Sequence, residues 1–328
     1  MTRLCLYGTV LNSADTVERS VRSVFRPDAE IVVVDGGSTD GTYERLLEIS
    51  KDYNLRVYRL PGSSRGLGRN YALRKCPEGS YAAYFDLDNE YNEYFHRSLD
   101  WGKAQGVPDP LYYLTKREYA IAKGGWRNLN YAEDVEFFAR VGFRYHLPVE
   151  INYRISEPTG RHAKPSRLFD SQEATSRVAA IRRSFRSAVD LVRGTGFTFA
   201  EFMNYFLSSV RPALRLAAAL AFAAAAIEGI YRYDSHLNNY DLVFRYTIGG
   251  LVDPVKEIGA REQDVIILTP HNMLEVVGVK WVLEKLSSVN LSPFRCYQGL
   301  ARILAWVRTP EAFEQLGELL GLSSCHKI

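Results

Sequence analysis

Between residues 3 and 85, short apolar runs alternate with stretches of helical spacing, and that order leaves few folds open. Arg3 to Leu11 reads as a first strand. A helix follows, with Val17, Val21 and Val24 about a turn apart. Glu30 to Val34 carries apolar residues without a break, which predicts a strand covered on both faces. The next helix carries Tyr43, Leu46, Leu47 and Ile49, with Ser38 or Asp40 as its cap. Leu55 to Leu60 reads as a third strand, residues 66–75 as a helix, and Tyr81 to Phe85 as a fourth strand. A β-α-β-α-β-α-β order predicts an α/β fold. Its sheet should be mostly parallel, joined by right-handed crossovers and flanked by helices.

The fourth strand runs into Tyr84-Phe85-Asp86-Leu87-Asp88. Side chains alternate along a strand, so Asp86 and Asp88 share a face. At the C-terminal edge of such a sheet they stand where open α/β folds bind ligands. Hard divalent cations take oxygen ligands and leave room for water and substrate phosphates. The pair therefore points to a metal and diphosphate site. A turn or a helix cap would place aspartates there as well.

Three further blocks accompany it in order: Tyr7-Gly8-Thr9-Val10-Leu11-Asn12, Val32-Val33-Val34-Asp35-Gly36-Gly37-Ser38-Thr39-Asp40-Gly41-Thr42, and Gly66-Leu67-Gly68-Arg69-Asn70-Tyr71-Ala72-Leu73. With Phe85-Asp86-Leu87-Asp88 they resemble the nucleotide-binding half of a family 2 glycosyltransferase of the inverting GT-A type. The resemblance covers residues 3 to about 165. It implies that Thr9, Asn12 and Asp35 meet the nucleotide, and that Arg69 sits near the diphosphate. Arginine suits that place because its planar fork meets oxyanions with two hydrogen bonds. It also implies that Asp86 touches the ribose or a metal-bound water, and that Asp88 binds a divalent cation, Mn²⁺ or Mg²⁺. Asn89 and Glu90 stand where the family often places another acid.

Lys123-Gly124-Gly125-Trp126 to Glu133-Asp134-Val135-Glu136-Phe137-Phe138-Ala139-Arg140 resembles the family's acceptor segment. The resemblance makes Asp134 the general base, with Glu133 as the second choice. Gly124 and Gly125 would let backbone approach the donor sugar, since glycine tolerates positive φ. Trp126 would form an apolar wall for a sugar ring or pack in the core. Val135, Phe138 and Ala139 mark the helix's apolar face. Carboxylates also favour a helix N-terminus for electrostatic reasons alone. Asp88 and Asp134 lie closer in sequence than the resemblance leads one to expect, so the acceptor half is trimmed. In some members a later histidine completes the metal shell, and His162 in Thr159-Gly160-Arg161-His162-Ala163-Lys164-Pro165 is the candidate. Arg161 and Lys164 would then close over the diphosphate.

The resulting expectation is metal-dependent, inverting transfer of a sugar from a UDP-, GDP- or dTDP-sugar to a saccharide or lipid-linked acceptor hydroxyl. One alternative is a binding module that keeps the nucleotide pocket without catalysis. Another is a nicotinamide oxidoreductase of the short-chain type, suggested by Gly62-Ser63-Ser64-Arg65-Gly66-Leu67-Gly68 and by Tyr112 with Lys116. That glycine-rich turn should follow the first strand of its unit, and here it follows the third.

At 328 residues the chain is long enough for two domains. The reading divides it into a catalytic domain over 1–165, with a nucleotide half at 1–90 and an acceptor half at 91–165, and a mainly helical region over 166–328. A net charge of +3 gives no reason to expect nucleic acid as a partner. Cys5, Cys76, Cys296 and Cys325 have no metal or redox spacing, which favours reduced thiols in a cytoplasmic setting. The N-terminus goes straight into a strand, so no leader is expected. Residues 171–193 read as a basic helix with Val178, Ile181, Phe185 and Val189 on its apolar side and Arg177, Arg182, Arg183, Arg186 and Arg193 as its charges. An alanine-rich helix near 213–230, within 202–233, is too short to span a bilayer. It is either buried, or a contact for a membrane surface at the cytoplasmic face or for a second copy of the chain. Val265 to Leu268 reads as one short strand, and 273–286 and 297–307 as segments with apolar faces in a mainly helical stretch over 240–328.

Overall fold

The computed structural model describes residues 3–131, 133–145, 147, 149, 151–155, 185, 186, 188–190, 192–194, 199, 214–231, 252, 254–261, 266–270, 292–298, 301–307 and 324–327. The chain divides into two compact units, and neither is one continuous stretch. The first takes Met1–Tyr91, Tyr113–Gly142 and Arg154–Asn239. The second takes Asn92–Tyr112, Phe143–Tyr153 and Tyr240–Ile328.

The first unit is built as the alternation predicts. Strands β1 (Leu4–Val10), β2 (Ala29–Asp35), β3 (Leu55–Arg59) and β4 (Tyr81–Tyr84) alternate with helices α1 (Val17–Val24), α2 (Thr42–Ile49) and α3 (Arg65–Lys75). Short strand β5 (Asn89–Tyr91) follows; after helix α4 (Glu93–Ala104), which belongs to the second unit, the first unit resumes with β6 (Leu114–Lys116) and helix α5 (Arg117–Ala122). The sheet order is β3-β2-β1-β4-β6. The first four strands are parallel, and β6 joins β4 antiparallel. Ile31, Val32, Val33 and Val34 are all fully buried, as expected of a strand covered on both faces, with α3 packed against β2. Val17, Val21 and Val24 face inward as their spacing requires, while Leu47 of α2 is 43% exposed.

Local chemistry fixes the helix starts. Asp40 Oδ1 accepts from the Thr42 amide at the head of α2. Ser38, the other candidate cap, instead accepts from the Asn12 amide. Ser64 caps α3 by accepting from the Leu67 amide. Two glycines in α3 have steric reasons. A Cβ on Gly66 would lie 2.0 Å from the Arg127 carbonyl oxygen, and one on Gly68 would lie 2.2 Å from Thr9 Oγ1. This turn follows β3, an edge strand, so it does not occupy the dinucleotide position.

One expectation fails here. Cys5 of β1 and Cys76, the residue that ends α3, form a disulfide across a separation of 71 residues. The reading of reduced thiols rested on spacing along the chain, whereas α3 packs back on β1 and brings the two together.

Helix α6 (Glu133–Val141) and strand β7 (Asn152–Arg154) come next. Helical residues between 185 and 194 pack on α7 (Leu214–Glu228). Val189 and Val192 meet Ala221 and Ala225, while Leu216, Leu220 and Ile227 lie on the exposed side. Among the described residues no helix is long and apolar enough to cross a membrane. Val178, Ile181, Arg177, Arg182 and Arg183 lie outside the described residues.

In the second unit, α4 meets α8 (Pro254–Ile258), with Trp101 Nε1 donating to Glu257 at 2.8 Å and Arg97 to the Gly259 carbonyl at 3.0 Å. Four strands, β8 (Ile266–Pro270), β9 (Ser292–Gln298), β10 (Ala301–Val307) and β11 (Ser324–Lys327), form an antiparallel sheet in the order β11-β9-β10-β8. The strand expected near 265–268 is β8. The mainly helical reading of 240–328 is corrected by the other three. Gly299-Leu300 between two apolar runs was the missed signal, since two-residue connections with glycine favour hairpins. The stretch 273–286 lies outside the described residues.

Candidate active site

Strand β4 ends at Tyr84, and the chain beyond it is pinned by its backbone. The Tyr7 carbonyl accepts from the Phe85 amide, and the Tyr91 hydroxyl accepts from the Asp86 amide at 2.9 Å. Ser20 and Thr16 hydroxyls donate to the carbonyls of Asp86 and Leu87 at 3.1 and 3.0 Å. Phe85 and Leu87 are buried, while Asp86 and Asp88 are partly exposed. The alternation expected of a strand therefore survives past its end, and the two carboxylates share the open side.

Arg69 of α3 is buried beneath them. Its Nη2 meets Asp86 Oδ1 at 2.5 Å and its Nη1 meets Glu133 Oε1 at 3.0 Å. The guanidinium also lies 4.9 Å from the centre of the Tyr84 ring and 4.8 Å from that of Trp126. Removing one partner from a buried ion pair costs about 3–5 kcal/mol, because the other charge is left without compensation. Burial pushes the Asp86 carboxyl up, but the Arg69 and Arg65 charges outweigh it and hold it below its usual range. Burial and the neighbouring Asp134 push Glu133 the other way, against the pull of Arg69 and Arg65, and it ends above its usual range. Burial alone would lower Arg69, yet Asp86 and Glu133 together raise it. Arg69 thus sits beside Asp86 as expected of a residue near the diphosphate, with its two terminal nitrogens on carboxylates and aromatic rings at its sides.

The acceptor segment reaches the same place. Glu133 is buried and bound by Arg69 and, at 3.3 Å, by Arg65. Asp134 is partly exposed and close enough to Arg69 and Glu133 to affect both charges. Trp126 is corrected as a sugar wall. It is 3% exposed, stacks on Phe137 at 4.0 Å and 4°, and donates through Nε1 to the Tyr7 hydroxyl. Gly124 and Gly125 do have positive φ, 98° and 64°. At Gly125 a Cβ would lie 2.1 Å from Asn70 Oδ1, so the Asn70 side chain packs directly on this glycine. Arg140 binds the Gly125 carbonyl and Glu136, which locks the turn. The loop before α6 is held at several points. Leu129 accepts from the Gly66 amide, Asn130 Oδ1 accepts from the Arg65 amide, and the Asn130 amide donates to buried Asp190 at 3.1 Å.

At the end of β2, Asp35 is fully buried. Its Oδ1 accepts from the amides of Gly37 and Ser38, both at 3.0 Å, and lies 3.4 Å from Arg59 Nε. Its Oδ2 is buried and has no hydrogen-bond partner among the described residues. The turn-capping role is thus real and uses one oxygen, leaving the other as an acceptor. Thr9 Oγ1 donates to the Val34 carbonyl at 3.0 Å, and Asn12, at φ 51°, accepts from the Thr39 amide. Both tie β1 to the loop that presents Asp35.

Among the described residues no group of three or more His, Cys, Asp or Glu side chains could hold a metal. His162 lies outside the described residues. Asp86 is committed to Arg69, so Asp88 is the carboxylate best placed to hold a cation. It is about one-third exposed, and its Oδ2 pairs with Arg154 Nη2 at 3.3 Å. A single hard oxygen ligand of this kind fits Mg²⁺ or Mn²⁺ when diphosphate and water complete the shell.

Residues 9–99 match the family model described as Glycosyl transferase family 2. Over these residues, somewhat more than a quarter of the chain, it resembles that family. The putative teichuronic acid biosynthesis glycosyltransferase TuaG of Bacillus subtilis (strain 168) is 34% identical over 87 residues, which are 25% of this chain and 34% of TuaG. The chain thus covers about a third of the length of that curated relative. Among solved structures, S. aureus TarS 1–349 in complex with UDP-GlcNAc has 16% identity and a TM-score of 0.46, over 74% of this chain and 87% of that one. Mannosyltransferase PcManGT from Pyrobaculum calidifontis, with GDP-Man and Mn²⁺, has 19% identity and a TM-score of 0.42, over 69% and 76%. The family 2 segment contains Asp35, Arg69, Asp86 and Asp88, whereas Glu133, Asp134 and Arg154 follow it. Sequence reasoning missed Arg65, Asn70 and Arg154. Arg65 and Asn70 sit within or beside a quoted block and could have been weighed; Arg154 sits in no motif.

Proposed function

We propose that the chain transfers a sugar from a nucleotide-sugar donor to an acceptor hydroxyl, with inversion at the anomeric carbon. The family match over residues 9–99 supports the class of reaction. The observation that carries the residue assignment is Arg69, whose one guanidinium joins the turn bearing Asp86 and Asp88 to the helix start bearing Asp134.

In this reading Asp35 Oδ2 accepts from a nucleobase N–H, and Thr9 and Asn12 hold the loop that presents it. Asp88 holds a divalent cation, whose chemistry when bound is to neutralise charge on the departing diphosphate. Asp134 takes the proton of the acceptor hydroxyl. The acceptor oxygen forms its bond to the anomeric carbon as the bond from that carbon to the diphosphate oxygen breaks. General-base help of this kind is worth roughly 10²–10⁴-fold. Glu133 is the weaker candidate because two arginines hold it in a buried position. Its role is to fix the head of α6 so that Asp134 faces the open side. A saccharide or a lipid-linked alcohol is the proposed acceptor class.

The test is a donor screen. The protein is incubated with Mn²⁺ or Mg²⁺, UDP-, GDP- and dTDP-sugars and candidate acceptors, and released nucleoside diphosphate is measured. Release from one donor class should need the metal and disappear with Asp88→Ala. Asp134→Ala should keep donor binding and lose about 10²–10⁴-fold in transfer. Tight nucleotide binding without turnover on any donor and acceptor would instead favour a non-catalytic binding module.

A further inference from the structure

Arg154 has no part in the motifs above, yet its guanidinium pairs with the carboxylate best placed to hold a cation. It sits at the end of β7, and the next residue anchors that end beside the site: the Ile155 amide donates to the Asp88 carbonyl at 2.9 Å. Arg154 therefore belongs to the local frame of Asp88 although 66 positions separate them. Its side chain is 39% exposed and that of Asp88 34%, so the pair lies at the accessible side of the site. Its charge reaches Asp86 as well. The other arginines nearby are less available. Arg69 is buried between two carboxylates, and Arg65 is bound to Glu133.

A guanidinium and a divalent cation cannot both sit on one carboxylate without repulsion. A diphosphate brings oxyanions that suit the planar fork of arginine. We propose that Arg154 binds the donor diphosphate and, until donor and cation arrive together, serves as the counter-ion of Asp88. The inference rests on the functional reading above and adds to it a binding residue and an order of events. The cation alone competes with Arg154 for Asp88. The cation with a nucleoside diphosphate does not, because the phosphates offer Arg154 another partner.

The proposal predicts effects of opposite sign in one variant. Titrations use the full chain with Mn²⁺ alone, with UDP or GDP at saturating Mn²⁺, and with uridine or guanosine. Partly exposed ion pairs are weak, so Arg154→Gln should bind Mn²⁺ alone only about two- to fivefold more tightly. The same variant should bind the preferred nucleoside diphosphate about tenfold more weakly, the loss expected for a charge-assisted hydrogen bond. Nucleoside binding should not change. Arg154→Lys keeps the charge, so it should leave Mn²⁺ affinity near that of the parent. A residue that only supported the fold would weaken all three ligands together. Unchanged or weaker Mn²⁺ binding by Arg154→Gln, or unchanged diphosphate binding, overturns the role of Arg154 while leaving the transferase reading in place. Binding of neither UDP nor GDP by the parent with Mn²⁺, or Mn²⁺ binding that survives Asp88→Ala, overturns the site itself.

Discussion

Asp35 ends β2 and Asp88 follows the end of β4, strands on either side of β1 in one mostly parallel sheet, yet their surroundings are opposite. Asp35 is fully buried, and two backbone amides hold one of its oxygens. Asp88 is partly open and meets an arginine that is itself partly open. A carboxylate fixed by amides has one position and one remaining acceptor, which suits recognition of a flat, neutral base. A carboxylate held by an exchangeable side chain can accept a different cation, which suits a group whose charge changes during reaction. In the proposed function, burial separates reading the donor from handling its charge.

The largest expected effect tests the link that joins the β4 end to the acceptor segment. Arg69→Met leaves Glu133 buried without its main counter-charge and Asp86 unpaired, and should cost about 3–5 kcal/mol of stability in urea denaturation. A loss near zero would mean that the two carboxylates tolerate each other without Arg69, and the distinction between the two strand ends would weaken. Asp35→Asn keeps an acceptor for the Gly37 and Ser38 amides but turns the lone oxygen into a donor. It should weaken nucleoside and nucleoside diphosphate alike by about tenfold, or roughly 1.4 kcal/mol. Asp88→Ala should leave nucleoside binding unchanged, so isothermal titration of the two variants separates base from phosphate. The smallest effect concerns acid. The folded Asp86 carboxyl lies below its ordinary value of about 3.9, so its contribution is present above that pH and is lost as pH falls through the folded value. Asp86→Asn should flatten that acid limb of thermal stability, by at most about 1 kcal/mol because the side chain is partly exposed.

Residues 3–85 were readable because β1, β2 and β4 are short, mostly buried apolar runs separated by stretches of helical spacing, so composition and periodicity agree. The observed spans of β2 and α3 differ from the expected ones by a residue at most ends. Asp35, Asp86 and Asp88 were readable because a carboxylate at the end of an apolar strand has few places to go. Trp126 was not, since an indole beside a glycine pair satisfies a core and a sugar site equally, and only its stacking on Phe137 decides. The pairing of Arg69 with carboxylates 17 and 64 residues away had no local signal, because a motif arginine suggests an anion without saying which. Arg154 and the Cys5–Cys76 bond had no local signal, because both depend on which distant backbone segments meet. The second unit was harder for another reason: its strands alternate weakly, and their runs also suit a helix.

The loop that leads to Asp134 is fastened from well downstream. Its Asn130 amide ends on Asp190, and Asp190 in turn meets Arg186 and Arg193. Arg193 and Arg127 both lie against the Tyr231 ring, and the Tyr231 amide donates to the Arg193 carbonyl. A recombinant fragment cut just after residue 165 would therefore retain all four motif blocks and still lose the latch that holds the loop leading to Asp134. The smallest piece worth crystallising reaches past Tyr231.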